Sequence, residues 1–204
     1  QMLDHYGLTD NTMVIFTSEN GPTSGGIGGS DNRFIQSSVN LRGLQGNVFE
    51  GGIRVPMIVY WKGMISPGAV SDQICAFQDF MPTLAEISGA TIPENIDGIS
   101  FAPTLFGRDQ TAHDYLYWEF PAYGGQQALR KGKWKAVRQN LKKDPGSPIQ
   151  LYNLEEDVGE STDLSHEHVD IVRELYSLMK GARTRSEYFP FPSLDGDSLD
   201  YQNE

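Results

Sequence analysis

Two short apolar runs in the first half of the chain predict buried strands. Residues 12–17 read TMVIFT and residues 57–61 read MIVYW. A short, continuous apolar run is typical of a strand buried on both faces, and such a strand needs helices above and below it. Residues 79–88 repeat their apolar positions at helical spacing, with Asp79 as a candidate cap and Gly89 as a candidate end. This half of the chain therefore predicts an α/β layer.

Alternation of apolar and polar residues in the second half predicts a small antiparallel sheet. Strands are expected over 115–120, 127–130, 134–138 and 150–153, with residues 131–133 as a hairpin turn. A helix with one apolar face should follow, beginning at Ser165 and reaching about Ala182. The change of pattern predicts two domains, the C-terminal part of an α/β domain over 1–107 and a small α+β subdomain over 108–204.

Composition and charge exclude several functional classes. The chain has 204 residues and a formal net charge of −11, and no run rich in Lys or Arg forms a basic stripe, so no nucleic-acid partner is expected. No stretch reaches the roughly 18 apolar residues of a membrane span, so no membrane partner is expected. The single cysteine, Cys75, cannot form an internal disulfide. The histidines show no metal-ligand spacing and are expected at the surface: His5, His113, His166 and His168.

Polar residues follow directly after the first predicted strand, where residues 18–22 read SENGP. Glu19 and Asn20 supply a carboxylate and an amide carbonyl, which are hard oxygen donors suited to Ca²⁺ or Mg²⁺. Gly21 allows the sharp turn that lets both side chains converge. The Gly-, Ser- and Asn-rich residues 23–40 are expected to form a long loop. The same SENGP residues are ordinary turn chemistry, so a solvated turn and a metal site both stay open at this point.

Three ordered segments resemble the type I sulfatases of the alkaline-phosphatase superfamily. They are DNTMVIFTSENGP at 10–22, LRGLQGNVFEGGIRVP at 41–56, and LRKGKWKAV at 129–137 followed by LYNLEEDVGESTDL at 151–164. The resemblance covers about residues 3–192 and implies the C-terminal portion of an arylsulfatase-like enzyme that hydrolyses sulfate esters. The implied fold class is α/β: the remainder of a large mixed sheet flanked by helices, plus a small C-terminal antiparallel sheet with one packed helix.

The resemblance also implies roles for particular residues. Glu19 and Asn20 take the positions of a calcium-binding Asp-Asn pair, so both are expected metal ligands. Gln45 stands where relatives usually have a lysine that contacts the sulfate, so it is the expected substrate-binding residue. A glutamine can donate a hydrogen bond to a sulfate oxygen but brings no charge, and charge-assisted bonds are roughly twice as strong. Arg42 and Arg54 are expected to be structural, paired with a glutamate or with loop carbonyls.

The residues that such enzymes need for catalysis do not occur in this sequence. The nucleophile is a formylglycine made from a Cys/Ser-x-Pro/Ala-x-Arg motif, whereas Cys75 is followed by Ala-Phe-Gln-Asp. Two ligands do not complete a calcium site of six to eight oxygens. We therefore expect no catalytic residue here, an incomplete Ca²⁺ site, an inactive isolated chain, and an N-terminal sulfatase segment as a missing partner. The expected substrate is a sulfated small molecule or a glycan.

Two alternatives stay open. A non-catalytic sulfatase-like binding or assembly module would explain why both Glu19 and Gln45 depart from the family pattern. A phosphoester or phosphonate hydrolase of the same superfamily ranks below it. Strands left without their neighbours should expose apolar faces, which predicts self-association or a partner segment. The sequence does not fix a compartment, although the resemblance points to a parent protein exported to the periplasm or the extracellular space.

Overall fold

The computed structural model describes residues 2–23, 38 and 40–196. The chain forms two compact units, each built from two stretches of sequence: Gln1–Ser18 with Pro56–Asp114, and Glu19–Val55 with Tyr115–Glu204. The predicted domain boundary at residue 107 stays a prediction. Most of the loop expected over 23–40 lies outside the described residues. None of the helices in the described ranges is both long and apolar enough to cross a bilayer.

The first unit contains a two-stranded sheet and several short helices. Its elements are α1 (Met2–His5), a 3-10 helix (Thr9–Asn11), β1 (Val14–Thr17), β2 (Met57–Tyr60), a second 3-10 helix (Phe77–Asp79), α3 (Phe80–Ser88) and α4 (Ala102–Leu105). Strands β1 and β2 pair antiparallel, with Thr17 opposite Met57. Helix α3 ends at Gly89, which takes the left-handed conformation expected of a helix end.

The prediction that the first strand is buried on both faces is wrong for the described chain. Phe16 on β1 is 64% exposed and Ile58 on β2 is 63% exposed. No layer of the described residues covers this face of the two-stranded sheet. The exposed apolar face that the sequence analysis expected is therefore present, whereas self-association and a partner segment stay predictions.

Asp79 and His113 also differ from expectation in this unit. The Asp79 carboxylate does not cap α3 but accepts the backbone N–H groups of Ala76 at 2.7 Å and Ile99 at 2.8 Å. His113 Nε2 lies 2.9 Å from Asp79 Oδ1, and only 11% of the histidine side chain is exposed. The expectation that His113 lies at the surface is wrong, because a buried carboxylate needs a polar partner.

The second unit is built on a four-stranded antiparallel sheet in the order β3-β4-β5-β6. Its elements are α2 (Glu50–Ile53), β3 (Leu116–Phe120), β4 (Gln126–Lys131), β5 (Trp134–Arg138), β6 (Gln150–Asn153), α5 (Val169–Ala182) and α6 (Pro192–Asp195). The predicted hairpin between β4 and β5 is confirmed, with Gly132 at a φ of 55°. Helix α5 begins at Val169 rather than at Ser165, whose backbone N–H instead donates to Asp163.

Side chains alternate between the two faces of this sheet, and each face is covered. One face packs against α5, through Leu129, Ala136, Leu151, Leu175 and Met179. The other face packs against the residues just before α2, through Val48, Phe49, Ala128, Val137 and Tyr152. The predicted small antiparallel sheet with one packed helix is confirmed. The second covering layer brings the LRG…EGG segment onto the sheet.

Candidate active site

Two segments of the second unit lie against each other through their backbones. We name residues 19–22 the donor turn and residues 41–53 the glycine segment. Gly21 donates its N–H to the carbonyl oxygen of Gly52 at 2.9 Å. A Cβ atom on Gly21 would lie 1.8 Å from the carbonyl oxygen of Gly51. No larger residue fits at position 21 unless the backbone moves.

Close backbone approach also explains the glycines inside the glycine segment. Gly51 donates its N–H to the carbonyl oxygen of Arg42 at 2.6 Å. A Cβ atom would lie 2.3 Å from the carbonyl oxygen of Gly43 if placed on Gly51, and 2.1 Å from that of Asn47 if placed on Gly52. Gly43 itself has a φ of 85° and makes the tight turn expected of it. The segment is therefore folded tightly on itself as well as on the donor turn.

The predicted site residues lie on these two contacting segments. Glu19 and Gln45 are exposed, and Asn20 is half-buried. The backbone N–H of Gln45 donates to the carbonyl oxygen of Pro22 at 2.9 Å, which joins the donor turn to the position of the expected sulfate contact. Within the described ranges, no cluster of three or more His, Cys, Asp or Glu side chains is placed to hold a metal ion. The ligand roles of these residues stay predictions.

A buried ionic cluster attaches the glycine segment to the sheet. Lys135 on β5 is fully buried, and its Nζ lies 2.8 Å from Glu50 Oε1 and 2.9 Å from Glu160 Oε1. Glu160 Oε2 accepts the backbone N–H of Glu50 at 2.6 Å. We name Glu50, Lys135 and Glu160 the buried ionic cluster. Arg130 lies at its edge, 3.7 Å from Glu50 Oε2.

Burial sets the electrostatics of this cluster. It raises the pKa of Glu160 above its ordinary value, although the Lys135 ammonium and the Glu50 N–H act in the opposite direction. Glu160 Oε1 is at ion-pair distance from Lys135 but receives no hydrogen bond. The fold thus disfavours the ionised form of Glu160.

Arg42 in the glycine segment and Arg54 directly after it have structural roles, as the sequence analysis expected. Arg42 donates to the hydroxyl of Tyr152 at 2.9 Å and to the carbonyl oxygen of Glu160 at 2.8 Å. Arg54 lies 3.7 Å from Glu50. Both guanidinium groups therefore pair within the protein. Gln45, in contrast, has an exposed polar side chain that makes no hydrogen bond to any residue that the structure describes.

The remaining candidate, Cys75, lies in the first unit. It is half-buried, and burial raises the pKa of its thiol, with the Asp79 charge acting in the same direction. A thiol with a raised pKa stays protonated near neutral pH and is a weak nucleophile. That the catalytic nucleophile is not Cys75 stays a prediction.

Comparison with known proteins identifies the family. Residues 45–185, more than half of the chain, match the family model described as N-sulphoglucosamine sulphohydrolase, C-terminal. The chain belongs to the type I sulfatase family. Its sulfatase match begins at the position of the expected sulfate contact and includes the whole four-stranded sheet and α5.

Curated relatives of this sulfatase chain are longer proteins. Human arylsulfatase A is 32% identical over 185 residues, which cover 78% of the chain and 34% of the relative. The N-acetylgalactosamine-6-O-sulfatase of Bacteroides thetaiotaomicron is 32% identical over 203 residues, covering 90% of the chain and 38% of the relative. The chain spans less than two-fifths of the length of either relative.

Two solved structures share the fold. The protein BT33336S-sulf of Bacteroides thetaiotaomicron matches with a TM-score of 0.70 at 30% identity, covering 90% of this chain and 41% of that one. Ps i-CgsB, solved in complex with k-i-k-neocarrahexaose, matches with a TM-score of 0.74 at 27% identity, covering 96% and 42%. The predicted fold class, the α/β C-terminal region of a sulfatase, is confirmed.

Sequence reasoning missed the buried ionic cluster of this sulfatase. Arg130 pairs with Lys135 and Lys135 with Tyr152 in the sheet register, so these residues form one row across three strands. Alternation along β5 places Lys135 on the same face as the buried Val137. A lysine on the apolar face of a strand was the available signal, because such a charge needs a buried partner.

Proposed function

We propose that this chain is the C-terminal portion of a sulfatase that hydrolyses sulfate esters, and that the donor turn and the glycine segment form its share of the active site. The observation that carries the proposal is the direct backbone contact between these two segments. Because of this contact, the metal-ligand candidates and the sulfate-contact candidate lie on one backbone framework. A site that binds both a cation and an anion needs its ligands held in fixed relative positions.

The donor set fits part of a calcium site. Glu19 and Asn20 are adjacent hard oxygen donors, and the Glu19 carboxylate makes no hydrogen bond or ion pair with any described residue. Together they supply at most three of the six to eight oxygens that Ca²⁺ takes. A bound calcium ion would supply the positive charge against which a sulfate group is held. We infer that the other donors come from a segment beyond this chain, so we expect weak Ca²⁺ affinity for the chain alone, measured by calorimetry.

Gln45 gives the sulfate a neutral hydrogen-bond donor where the family usually has a lysine. Restoring the charge should strengthen the contact by roughly 1–1.5 kcal/mol, since charge-assisted bonds are about twice as strong as neutral ones. That corresponds to roughly a tenfold gain in kcat/KM. The neutral residue also favours the second candidate, a sulfatase-like module that binds sulfated compounds without hydrolysing them.

The relatives suggest the breadth of possible substrates. Their names include arylsulfatase A, steryl-sulfatase, N-acetylgalactosamine-6-O-sulfatase and an ulvan-active sulfatase. We therefore propose a sulfated small molecule or glycan as the substrate class.

The test measures sulfate release by the full-length protein that contains this chain. Substrates are nitrophenyl sulfate and a panel of mono-O-sulfated hexoses and N-acetylhexosamines, with calcium present. We expect Gln45→Lys to raise kcat/KM and Gln45→Glu to lower it. Gln78→Lys is the matched control, because it adds the same charge at an exposed glutamine of the first unit.

Two results would contradict parts of this proposal. If neither the wild-type protein nor Gln45→Lys releases sulfate, whereas calorimetry shows binding of a sulfated sugar, the binding module is correct. If the isolated 204-residue chain releases sulfate above a heat-denatured sample, the expectation that its nucleophile lies outside it is wrong.

A further inference from the structure

Tyr123 combines two features that cost stability. It is 76% exposed, and its φ is 49°, in the left-handed region that a bulky residue rarely adopts. Three other non-glycine residues in the described ranges have positive φ: Asn95, Asn140 and Glu160. Asparagine tolerates this conformation, and Glu160 is held there by the buried ionic cluster. Neither explanation applies to Tyr123, so its left-handed backbone conformation needs a different explanation.

The ring of Tyr123 lies directly against the glycine segment. A Cβ atom on Gly46 would lie 2.6 Å from Tyr123 Cε2, so the ring occupies the space that any larger residue at 46 would need. Gly46 immediately follows Gln45, the expected sulfate contact. The ring of Phe120 is also near, with the two ring centroids 5.9 Å apart. Tyr123 nevertheless stays 76% exposed.

The loop that carries Tyr123 is fixed to the glycine segment at its far end. Gln126 Nε2 donates to the carbonyl oxygen of Gly46 at 2.8 Å, and Gln126 Oε1 accepts the N–H of Val48 at 3.4 Å. Gln126 is 2% exposed, so these bonds are buried. Both ends of the side-chain amide thus hold the loop in place, and the position of the ring relative to Gln45 is set by the fold.

Two residues near this contact carry amide side chains. Gln45 is one neighbour along the glycine segment. Asn140 is another, because its Oδ1 lies 3.4 Å from the position of a Cβ on Gly124, the residue after Tyr123. Exposed amides donate to and accept from hydroxyl groups. A flat aromatic face bordered by amides suits a ligand with an apolar face and a hydroxyl-bearing edge, and a pyranose ring has this chemistry.

We propose that Tyr123 is a specificity-determining residue, whose exposed ring stacks on the sugar ring of a sulfated carbohydrate while the sulfate lies toward Gln45. This inference rests on the proposed function and narrows its substrate class from sulfated compounds in general to sulfated sugars. An aryl or steroid sulfate would leave the bordering amides without partners, which costs binding energy when they are desolvated.

Two substitutions of Tyr123 in the full-length protein separate stacking from folding. Tyr123→Asn removes the ring but suits the left-handed backbone, so we expect an unchanged or higher melting temperature. It should lower kcat/KM for the preferred sulfated hexose or N-acetylhexosamine by roughly 2- to 10-fold, mainly through KM, as the loss of one aromatic contact implies. Tyr123→Phe keeps the ring and should retain most of the activity. Tyr188→Asn, at an 88% exposed tyrosine, is the matched control.

Nitrophenyl sulfate provides the substrate control, because it has an aromatic ring but no sugar hydroxyls. The proposal is wrong if Tyr123→Asn leaves the sugar sulfates unaffected, if it lowers activity on nitrophenyl sulfate equally, or if it lowers the melting temperature. If the wild-type protein hydrolyses nothing, the proposed function fails, but this inference is still decided by saturation-transfer NMR with the same sugar sulfates. Ring-face contacts that disappear in Tyr123→Asn would support it, and the lack of contacts in the wild-type protein would overturn it.

Discussion

Replacing Lys135 by methionine removes the positive charge of the buried ionic cluster with little change in side-chain length. The carboxylates of Glu50 and Glu160 would stay buried, at side-chain exposures of 3% and 0%. With an effective dielectric constant of about 20, each contact of 2.8–2.9 Å contributes roughly 6 kcal/mol of attraction. Desolvation of the charges offsets much of this, and breaking a buried ion pair costs about 3–5 kcal/mol. That is a large share of the roughly 5–15 kcal/mol that stabilises a domain.

Urea denaturation of the purified protein measures this loss. Trp118 packs against the apolar cluster beside Lys135, and Trp134 precedes it on β5, so two of the three tryptophans report on the second unit. For a slope of about 2 kcal/mol per molar urea, we expect the midpoint of Lys135→Met to fall by roughly 2 M. Lys131→Met is the matched control, because Lys131 is 47% exposed and its ion pair with Glu174 is on the surface. That control should lose less than about 1 kcal/mol.

The pH dependence gives an independent measurement of the same cluster. Burial already raises the pKa of Glu160, and loss of the Lys135 ammonium would raise that pKa further. The folded state then favours the protonated acid, so the deficit of Lys135→Met relative to wild type should be largest at pH 7 and shrink toward pH 5. Adding Glu160→Gln should restore stability at pH 7 for the same reason. A loss no larger than that of Lys131→Met, or a gain in stability, would refute the reasoning and show that apolar packing fully replaces the ions.

Two further predictions concern a glycine contact and a carboxylate. Gly21→Ala places a Cβ against the Gly51 carbonyl and should lower the melting temperature. The control Gly181→Ala lies in α5 with open space around the residue, so the melting temperature should stay unchanged or rise. Equal effects of the two substitutions on the melting temperature would contradict this reasoning. Burial acts to raise the pKa of Asp163, but N–H groups of residues 151 and 165 lower it overall. Its stabilising effect is present above about pH 4 and lost on acidification below it, so Asp163→Asn should flatten the acid limb of melting temperature against pH. An unchanged acid limb would count against this assignment.

Local patterns predicted the second unit better than the first. The strands of the four-stranded sheet follow from alternation, and the glycine between β4 and β5 marks their turn. The first helical turn expected at Ser165 does not form, because Asp163 instead accepts the N–H of Ser165 and of Leu151. The apolar run over 12–17 predicts burial on both faces, but burial depends on what covers a strand, which a local pattern does not contain.

The candidate site was predictable where it depends on residue chemistry and not where it depends on distant pairing. Oxygen donors at Glu19 and Asn20 and an amide at Gln45 are visible in the sequence. The pairing of Lys135 with Glu50 joins residues 85 positions apart, and no local rule relates them. The same reason explains His113, whose partner Asp79 is 34 positions away.

The contacts that join the donor turn to the glycine segment run through main-chain atoms. Gly21, Gly51 and Gly52 meet as bare backbone, and Gln45 is attached by its own N–H. The side chains of Glu19 and Gln45 therefore contribute nothing to the contacts between these two segments. These two side chains can be substituted while the backbone contacts between the two segments stay the same. A framework of this kind lets new ligands be tried at positions 19 and 45 by mutagenesis without refolding the protein around each one.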